Sequence, residues 1–190
     1  MKISYPDFVA INKIVVYEDL DYRYYLAIPF CTVCNPDTLV VIMKNPSDAD
    51  AKIADPTARR VCDFAYSNKF GRVVIVNLFA YRTKDKNILK AMYDKHDFDY
   101  IVGVENDNYI INAIKEASKI IVAWGKPPEK FSEVYDTRIN QLHKMADGIE
   151  LYYVETLWEN KYPLHGLRWS TKKSIKNYSN DYQGGKAAQL

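Results

Sequence analysis

The stretch VVIMKNPSDADAKIADPTARR, residues 40–60, decides the fold of this chain. Its apolar start predicts a buried strand over residues 39–43, which breaks at Asn45-Pro46. Asp55 is placed to cap a helix, because Pro56 suits the first helical position, where the missing N–H costs no hydrogen bond. A strand that ends in a polar loop and leads into a helix is typical of open α/β sheets, which bind ligands at the carboxyl ends of their strands.

Strands and helices alternate along most of the remaining sequence. Apolar runs predict strands over residues 39–43, 73–76, 119–124 and 149–154. Helical periodicity and start signals predict helices over residues 57–68, 86–93, 105–117 and 131–145, with a loop at 94–104. Two further strands, 11–17 and 22–30, predict a hairpin. The order predicts a three-layer α/β/α sandwich with a mainly parallel central sheet and an added N-terminal β-hairpin.

Length and composition indicate one globular domain. The chain has 190 residues, of which 48% are hydrophobic and 26% charged, values typical of soluble proteins. We expect the domain to span residues 1–169 and the polar, basic segment 170–190 to be a flexible tail. No apolar run approaches the ~18 residues of a membrane helix, and the N-terminus lacks the apolar core of a signal peptide. We therefore expect a cytoplasmic protein without a membrane partner.

The cysteines raise the question of a metal or redox site. Cys31 and Cys34 have the spacing of metal ligands, but no second pair of this kind completes a four-thiolate site. Completion would need Cys62 and one histidine out of His96, His143 and His165. The pair also does not lead into a helix, as a redox-active pair would. We expect reduced structural thiols and no metal.

Five short motifs carry a family resemblance. They are N-P-S-x-A-D at 45–50, D-P-T-x-R-R at 55–60, N-L-F-A-Y-R at 77–82, E-N-D at 105–107 and A-W-G at 123–125. In this order they resemble the bacterial and phage family known as domain of unknown function 1643, over residues 22–168. The family name assigns no activity.

A second resemblance is to relatives of uracil-DNA glycosylase. The matching segments are IMKNPS with Asn45, VIVNLF with Asn77, IVAWG with Trp124 and Gly125, and ETLWENKYPLHG with His165. In that superfamily similar strand ends hold an Asp or Asn that activates water, an Asn that reads the base, a Trp-Gly pair and a terminal His. The resemblance implies the same fold and a hydrolytic enzyme.

To cleave an N-glycosidic bond, an enzyme must bind the base, stabilise the negative charge on the base as it leaves, and position a water molecule at the sugar carbon. The resemblance implies that Asn45 positions water and that His165 donates a hydrogen bond to the leaving base. If Asn45 only orients the water, the nearby Asp48 or Asp50 is the expected general base. We expect the base or ligand to be bound by Asn77, Phe79, Tyr81 and Ser47, with Phe64 as a further candidate for stacking. Phosphate binding is expected from Arg59, Arg60 and Arg82.

The sequence thus favours a nucleobase-recognising N-glycosidase acting on a base in DNA or in a nucleotide. No P-loop or G-x-G-x-x-G motif is present, so we expect no cofactor. The alternative is a non-catalytic protein that binds nucleotides or nucleic acid in the same pocket. It is favoured by His165-Gly166-Leu167, where the glycosylases have His-Pro-Ser. A third hypothesis is a metal-dependent hydrolase that uses Asp48, Asp50 and Asp55.

Overall fold

A computed structural model describes residues 3–31 and 35–182 of the protein. Its strands are β1 (Val15–Asp19), β2 (Tyr22–Pro29), β3 (Thr38–Met43), β4 (Arg72–Asn77), β5 (Lys119–Val122), β6 (Leu151–Val154), β7 (Leu157–Trp158), β8 (Tyr162–Pro163) and β9 (Ile175–Asn177). Its α-helices are α1 (Pro56–Ser67), α2 (Lys86–Lys95), α3 (Phe98–Val102), α4 (Asn106–Glu116), α5 (Ser132–Met145) and α6 (Tyr178–Asp181). Among these described helices, none combines the length and the apolar character needed to cross a bilayer.

The central sheet has a parallel middle and antiparallel edges. Within the described residues, seven strands pair in the order β1-β2-β4-β3-β5-β6-β9. The strands β4, β3, β5 and β6 run parallel, whereas β1, β2 and β9 pair antiparallel to their neighbours. The carboxyl ends of the four parallel strands therefore meet at one edge of the sheet. This arrangement confirms the predicted mixed α/β fold and the N-terminal hairpin.

Helices cover both faces of the sheet. All six residues of β3 are buried, as expected for a central strand that packs on both sides. Val40 and Ile42 belong to a hydrophobic cluster with residues of α4 and α5, whereas Leu39 and Val41 belong to a second cluster with residues of α1. The sheet is thus the middle of three layers.

The start of α1 follows the sequence prediction. Asp55 is the N-cap, and its Oδ1 accepts a hydrogen bond of 2.7 Å from the backbone N–H of Ala58. Pro56 occupies the first helical position. This cap fixes where α1 begins, directly beside the carboxyl edge of the sheet.

The segment after Ser170 differs from the expected flexible tail as far as residue 182. β9 pairs antiparallel with β6, and Tyr178 at the start of α6 is fully buried. The hydroxyl of Tyr178 donates to the carbonyl oxygen of Lys161 at 2.9 Å. The pairing with β9 covers the edge of β6. The polar composition of the segment does not indicate this pairing. Residues 183–190 lie outside the described residues.

Two smaller differences concern short elements. The predicted strand at 11–17 begins only at Val15, because Ile11–Lys13 form a 3₁₀ turn. The predicted loop at 94–104 contains α3, which is capped by Asp97 through a 2.7 Å hydrogen bond from the N–H of Tyr100. A helix of five residues is too short to show a clear hydrophobic period.

Candidate functional site

A cavity of about 280 Å³ opens at the carboxyl edge of the parallel strands. Its walls come from β2, from the ends of β3 and β4 with their loops, from the start of α1 and from the segment after β8. The lining residues are Arg23, Met43, Lys44, Asn45, Ser47, Ala49, Asp55, Thr57, Ala58, Ile75, Thr83, Lys84, His165 and Leu167.

The loops after β3 and β4 are joined by backbone hydrogen bonds. Leu78 N–H donates to Met43 O at 2.8 Å, and Thr83 N–H donates to Pro46 O at 3.0 Å. Because each loop holds the other, the residues that follow Met43 form a fixed wall of the cavity.

Asn45 is held in one orientation by this wall. Its Nδ2 donates to the carbonyl oxygens of Thr83 (2.7 Å) and Pro46 (3.1 Å). The amide protons are therefore used, and Oδ1 is the atom left to accept a hydrogen bond. An acceptor with a fixed position can orient a water molecule in the cavity.

Asp55 supplies the carboxylate of the cavity, although its sequence context predicts a helix cap. It is 6% exposed, and its Oδ2 accepts a hydrogen bond of 2.7 Å from Ser47 Oγ. Its other oxygen caps α1 through Ala58. Ser47 therefore contributes to the cavity by orienting Asp55 as well as by lining the wall.

Asp48 and Asp50 do not line the cavity. Asp48 forms an ion pair with Lys84, and Asp50 Oδ1 accepts hydrogen bonds from the backbone N–H groups of Lys52 (2.7 Å) and Ile53 (2.8 Å). Asp48 thus links the loops after β3 and β4, and Asp50 stabilises the turn within its own loop. Across residues 3–31 and 35–182, no group of three or more His, Cys, Asp and Glu side chains is arranged to hold a metal ion.

His165 reaches the cavity as a neutral imidazole. Burial lowers its pKa to about 4, and the positive charges of Lys44 and Arg168 act in the same direction, opposed by Asp55. Its Nδ1 accepts a hydrogen bond of 3.2 Å from the backbone N–H of Leu167. The proton of the neutral ring must then be on Nε2, which makes this nitrogen a hydrogen-bond donor.

Two glycines allow His165 to sit this close to the sheet and to α1. Gly125 has a φ of +69°, and a Cβ at this position would lie 3.3 Å from His165 Cβ. A Cβ on Gly166 would lie 3.0 Å from Val61 Cγ2 on α1. Larger residues at either position would move the imidazole away from the cavity.

Asn77, at the end of β4, has an unusual side chain. It is fully buried, yet neither Oδ1 nor Nδ2 has a hydrogen-bond partner in the described part of the chain. Its register neighbour in β3 is Met43, which lines the cavity. A buried amide without partners costs free energy, and such groups call for an explanation such as a ligand.

The main chain around Asn77 is held by residues that sequence reasoning did not select. Asn106 Nδ2 donates to the carbonyl oxygens of Asn77 and Leu78, both at 3.0 Å, and Arg138 Nε donates to Leu78 O at 2.6 Å. Asn106 is the middle residue of the E-N-D motif and the first residue of α4. Its structural task is to fix the turn after β4.

We expect Asn106→Ala to lower the free energy of unfolding by about 2 kcal/mol, because it leaves two buried carbonyl oxygens without this donor. Asn108→Ala is the matched control, since Asn108 is exposed on the same helix and bonds only Glu105. Urea denaturation of both variants checks the prediction. Equal stabilities would show that Asn106 does not hold the turn.

The aromatic candidates lie away from the cavity. Phe79 is in the hydrophobic core, with its ring centroid 5.9 Å from that of Phe131. Phe64 packs against Trp169 at 4.8 Å. Tyr81 packs in a tyrosine cluster with Tyr22 and Tyr100. None of these three rings is among the residues that line the cavity.

The candidate phosphate-binding arginines are also outside the cavity. Arg59 and Arg60 are exposed on α1, and Arg59 Nη1 donates to Ser4 O at 3.3 Å. Arg82 pairs with Glu18. The arginine that lines the cavity is Arg23, the second residue of the strand predicted at 22–30, where no motif of the sequence indicated it.

Neither Cys31 nor Cys62, the two cysteines that the structure describes, lines the cavity. Cys31 is exposed and Cys62 is buried in α1, where burial raises the pKa of its thiol. Cys34 lies outside the described residues, so its predicted structural role stays a prediction.

The fold and the cavity define a three-layer α/β protein with a cavity, lined by both polar and apolar residues, at the carboxyl ends of its parallel strands. The chain belongs to the family described as protein of unknown function (DUF1643), whose match covers residues 23–167. No curated protein and no solved structure shows a significant match. The residues that line the cavity are therefore the basis for a proposal about function.

Proposed function

We propose that the protein is a nucleobase-recognising N-glycosidase, which hydrolyses the N-glycosidic bond of a normal or modified base in DNA or in a nucleotide. One observation carries the proposal. A fixed acceptor, Asn45 Oδ1, and a neutral donor, His165 Nε2, belong to side chains that line the same cavity, with the carboxylate of Asp55 beside them.

His165 acts on the departing base. When the bond between C1′ and the base nitrogen breaks, its electron pair goes to the base, which becomes anionic. A neutral imidazole that donates through Nε2 stabilises this charge more than it stabilises the uncharged substrate. Such a donor in a site that excludes water typically contributes 10²- to 10³-fold in rate.

Asn45 and Asp55 act on the sugar. The sugar carbon becomes positive as the base leaves, and the carboxylate of Asp55 stabilises that charge electrostatically. Asn45 Oδ1 holds a water molecule, whose oxygen forms the new bond to C1′. An amide does not accept the proton, so the water attacks after the sugar has become cationic, and its proton leaves to solvent or to the base.

Asn77 reads the base edge in this proposal. Its amide offers both a donor and an acceptor, which are the groups that a base edge requires, and it has no protein partner among the described residues. Met43 lies beside it, and a thioether side chain is flexible enough to move aside when a base enters.

The resemblance to the uracil-DNA glycosylase fold is part of the same proposal. It is supported by the position of the four matching segments, which follow β3, β4, β5 and β6 at one edge of the sheet. Side chains from the first and last of these segments, Asn45 and His165, share the cavity.

Base release measured by mass spectrometry tests the proposal. Single-stranded DNA, duplex DNA and free nucleotides with normal and modified bases are incubated with the protein and with Asn45→Ala. We expect at least about 100-fold slower release with Asn45→Ala, because it loses the water acceptor. Asn108→Ala is the matched control and should keep the wild-type rate. Equal rates in wild type and Asn45→Ala, or no release from any substrate, would contradict the proposal.

A second candidate function is a non-catalytic nucleotide-binding protein. It is favoured by the positions of Asp48 and Asp50, which do not line the cavity and so leave no predicted general base there. A ligand that binds only the native state raises its melting temperature. Stabilisation by nucleotides without any base release would support this candidate over the glycosidase.

A further inference from the structure

An irregularity in β2 determines where Arg23 points. The pairing of β1 with β2 shifts by one residue between two register pairs, Tyr17↔Tyr25 and Glu18↔Arg23. Tyr24 is the extra residue, and it packs with Tyr25 against the ring of Tyr109. Arg23 is thereby turned to the opposite face of the sheet, where the cavity lies. Bulges that reorient one side chain are frequent next to active sites.

Arg23 is buried without a full set of partners. It is 2% exposed, Nη1 donates to Ala49 O at 2.7 Å, and Nε has no acceptor within residues 3–31 and 35–182. Burial lowers its pKa to about 10, with Arg82 adding to the effect and Asp55 opposing it, so the guanidinium is charged at neutral pH. A buried charge with an unused donor is costly unless a ligand completes it.

The charges around the cavity favour an anion. Arg23, Lys44 and Lys84 line it, against the single lining carboxylate of Asp55, while His165 is neutral. Lys84 already pairs with Asp48, and Lys44 donates to a backbone oxygen, so Arg23 is the cation at the buried end. Positive potential in a cavity with low-dielectric walls concentrates anionic ligands.

We propose that the substrate is a free nucleotide whose terminal phosphate is held by Arg23. This inference rests on the proposed function, because it names the substrate class of the same cavity. An internal phosphodiester of DNA is followed by nucleotides on both sides, so the strand would have to enter and leave the cavity at the depth of Arg23. A terminal phosphate is attached to the rest of the ligand on one side only and needs a single opening. The planar guanidinium of Arg23 can bind two oxygens of such a phosphate at once.

Isothermal titration calorimetry tests this directly. The probes are the four common deoxynucleoside 5′-monophosphates, the matching deoxynucleosides, and a single-stranded oligodeoxynucleotide without terminal phosphates. We expect the monophosphates to bind best, and Arg23→Gln to weaken them about 10- to 100-fold with little effect on the nucleosides. Arg72→Gln should bind like the wild type, because Arg72 pairs with Glu116 at the other end of β4.

A second, more conservative variant keeps the test valid if the first one does not fold. If Arg23→Gln does not fold, Arg23→Lys keeps the charge but loses the planar fork, and it should still reduce the preference for monophosphate over nucleoside. Unchanged monophosphate affinity in an Arg23 variant that folds, no binding of any monophosphate, or oligonucleotide binding as tight as that of monophosphates would overturn the inference.

The binding and base-release experiments distinguish a failure of this inference from a failure of the proposed function. Phosphate-dependent binding through Arg23 without base release would refute the glycosidase, and would leave Arg23 as the phosphate-binding residue of a nucleotide-binding site. Base release from DNA but not from nucleotides would refute the free-nucleotide substrate and leave the glycosidase standing.

Discussion

His165→Ala is expected to slow base release by about 100- to 1000-fold, the usual cost of removing a preorganised donor to a developing anion. The reason lies in the arrangement of the imidazole. Its Nδ1 accepts from Leu167 N–H, burial keeps the ring neutral, and Nε2 is left as the donor. Because this hydrogen bond strengthens only as the base becomes anionic, kcat and kcat/KM should fall together while KM stays nearly constant.

Two variants separate this role from a structural one. His165→Gln can place an amide donor near the position of Nε2 and should recover part of the rate. His143→Ala removes a half-buried histidine that stacks on Tyr178 and Tyr182, away from the cavity, and should keep the wild-type rate. An equal loss in His143→Ala, or a rise in KM alone in His165→Ala, would contradict the assignment of a transition-state donor.

The central part of the fold could be predicted because its signals are local. Buried parallel strands are continuous apolar runs, as in β3 and β4, and the start of α1 is marked by the adjacent residues Asp55 and Pro56. The elements that were missed depend on non-local contacts. β9 is a strand because it covers β6, and the polarity of its own sequence gives no indication of that.

The same distinction applies to the cavity. Asn45, Ser47 and His165 could be found from the sequence, because they follow strand ends or motifs that place them at one edge of the sheet. The position of Arg23 could not be found, since it results from a bulge that exists only in the pairing of β2 with β1. The rings of Phe79 and Tyr81 follow β4 closely in sequence, but packing against α5 and α3 takes them away from the cavity.

The free energy of unfolding is expected to decrease as the pH falls from about 6.5 to about 4. The pKa of His165 is lowered from 6.5 to about 4 by burial, so within this window the unfolded chain binds a proton that the native ring does not. Stability therefore rises with pH across the window and is fully present above it. At 1.36 kcal/mol per pKa unit, His165 contributes at most about 3 kcal/mol.

Denaturant titrations of the wild type and of His165→Gln at several pH values between 4 and 7 check this prediction. The carboxylates, and His143 with its own lowered pKa, act alike in both proteins and cancel in the difference. The stability of His165→Gln should consequently depend less on pH than that of the wild type. His96→Gln, at the exposed residue directly after the end of α2 and outside the cavity lining, is the control and should follow the wild-type curve. Parallel curves for His165→Gln and wild type would show that the ring is not held neutral, and would remove the basis for assigning Nε2 as the donor.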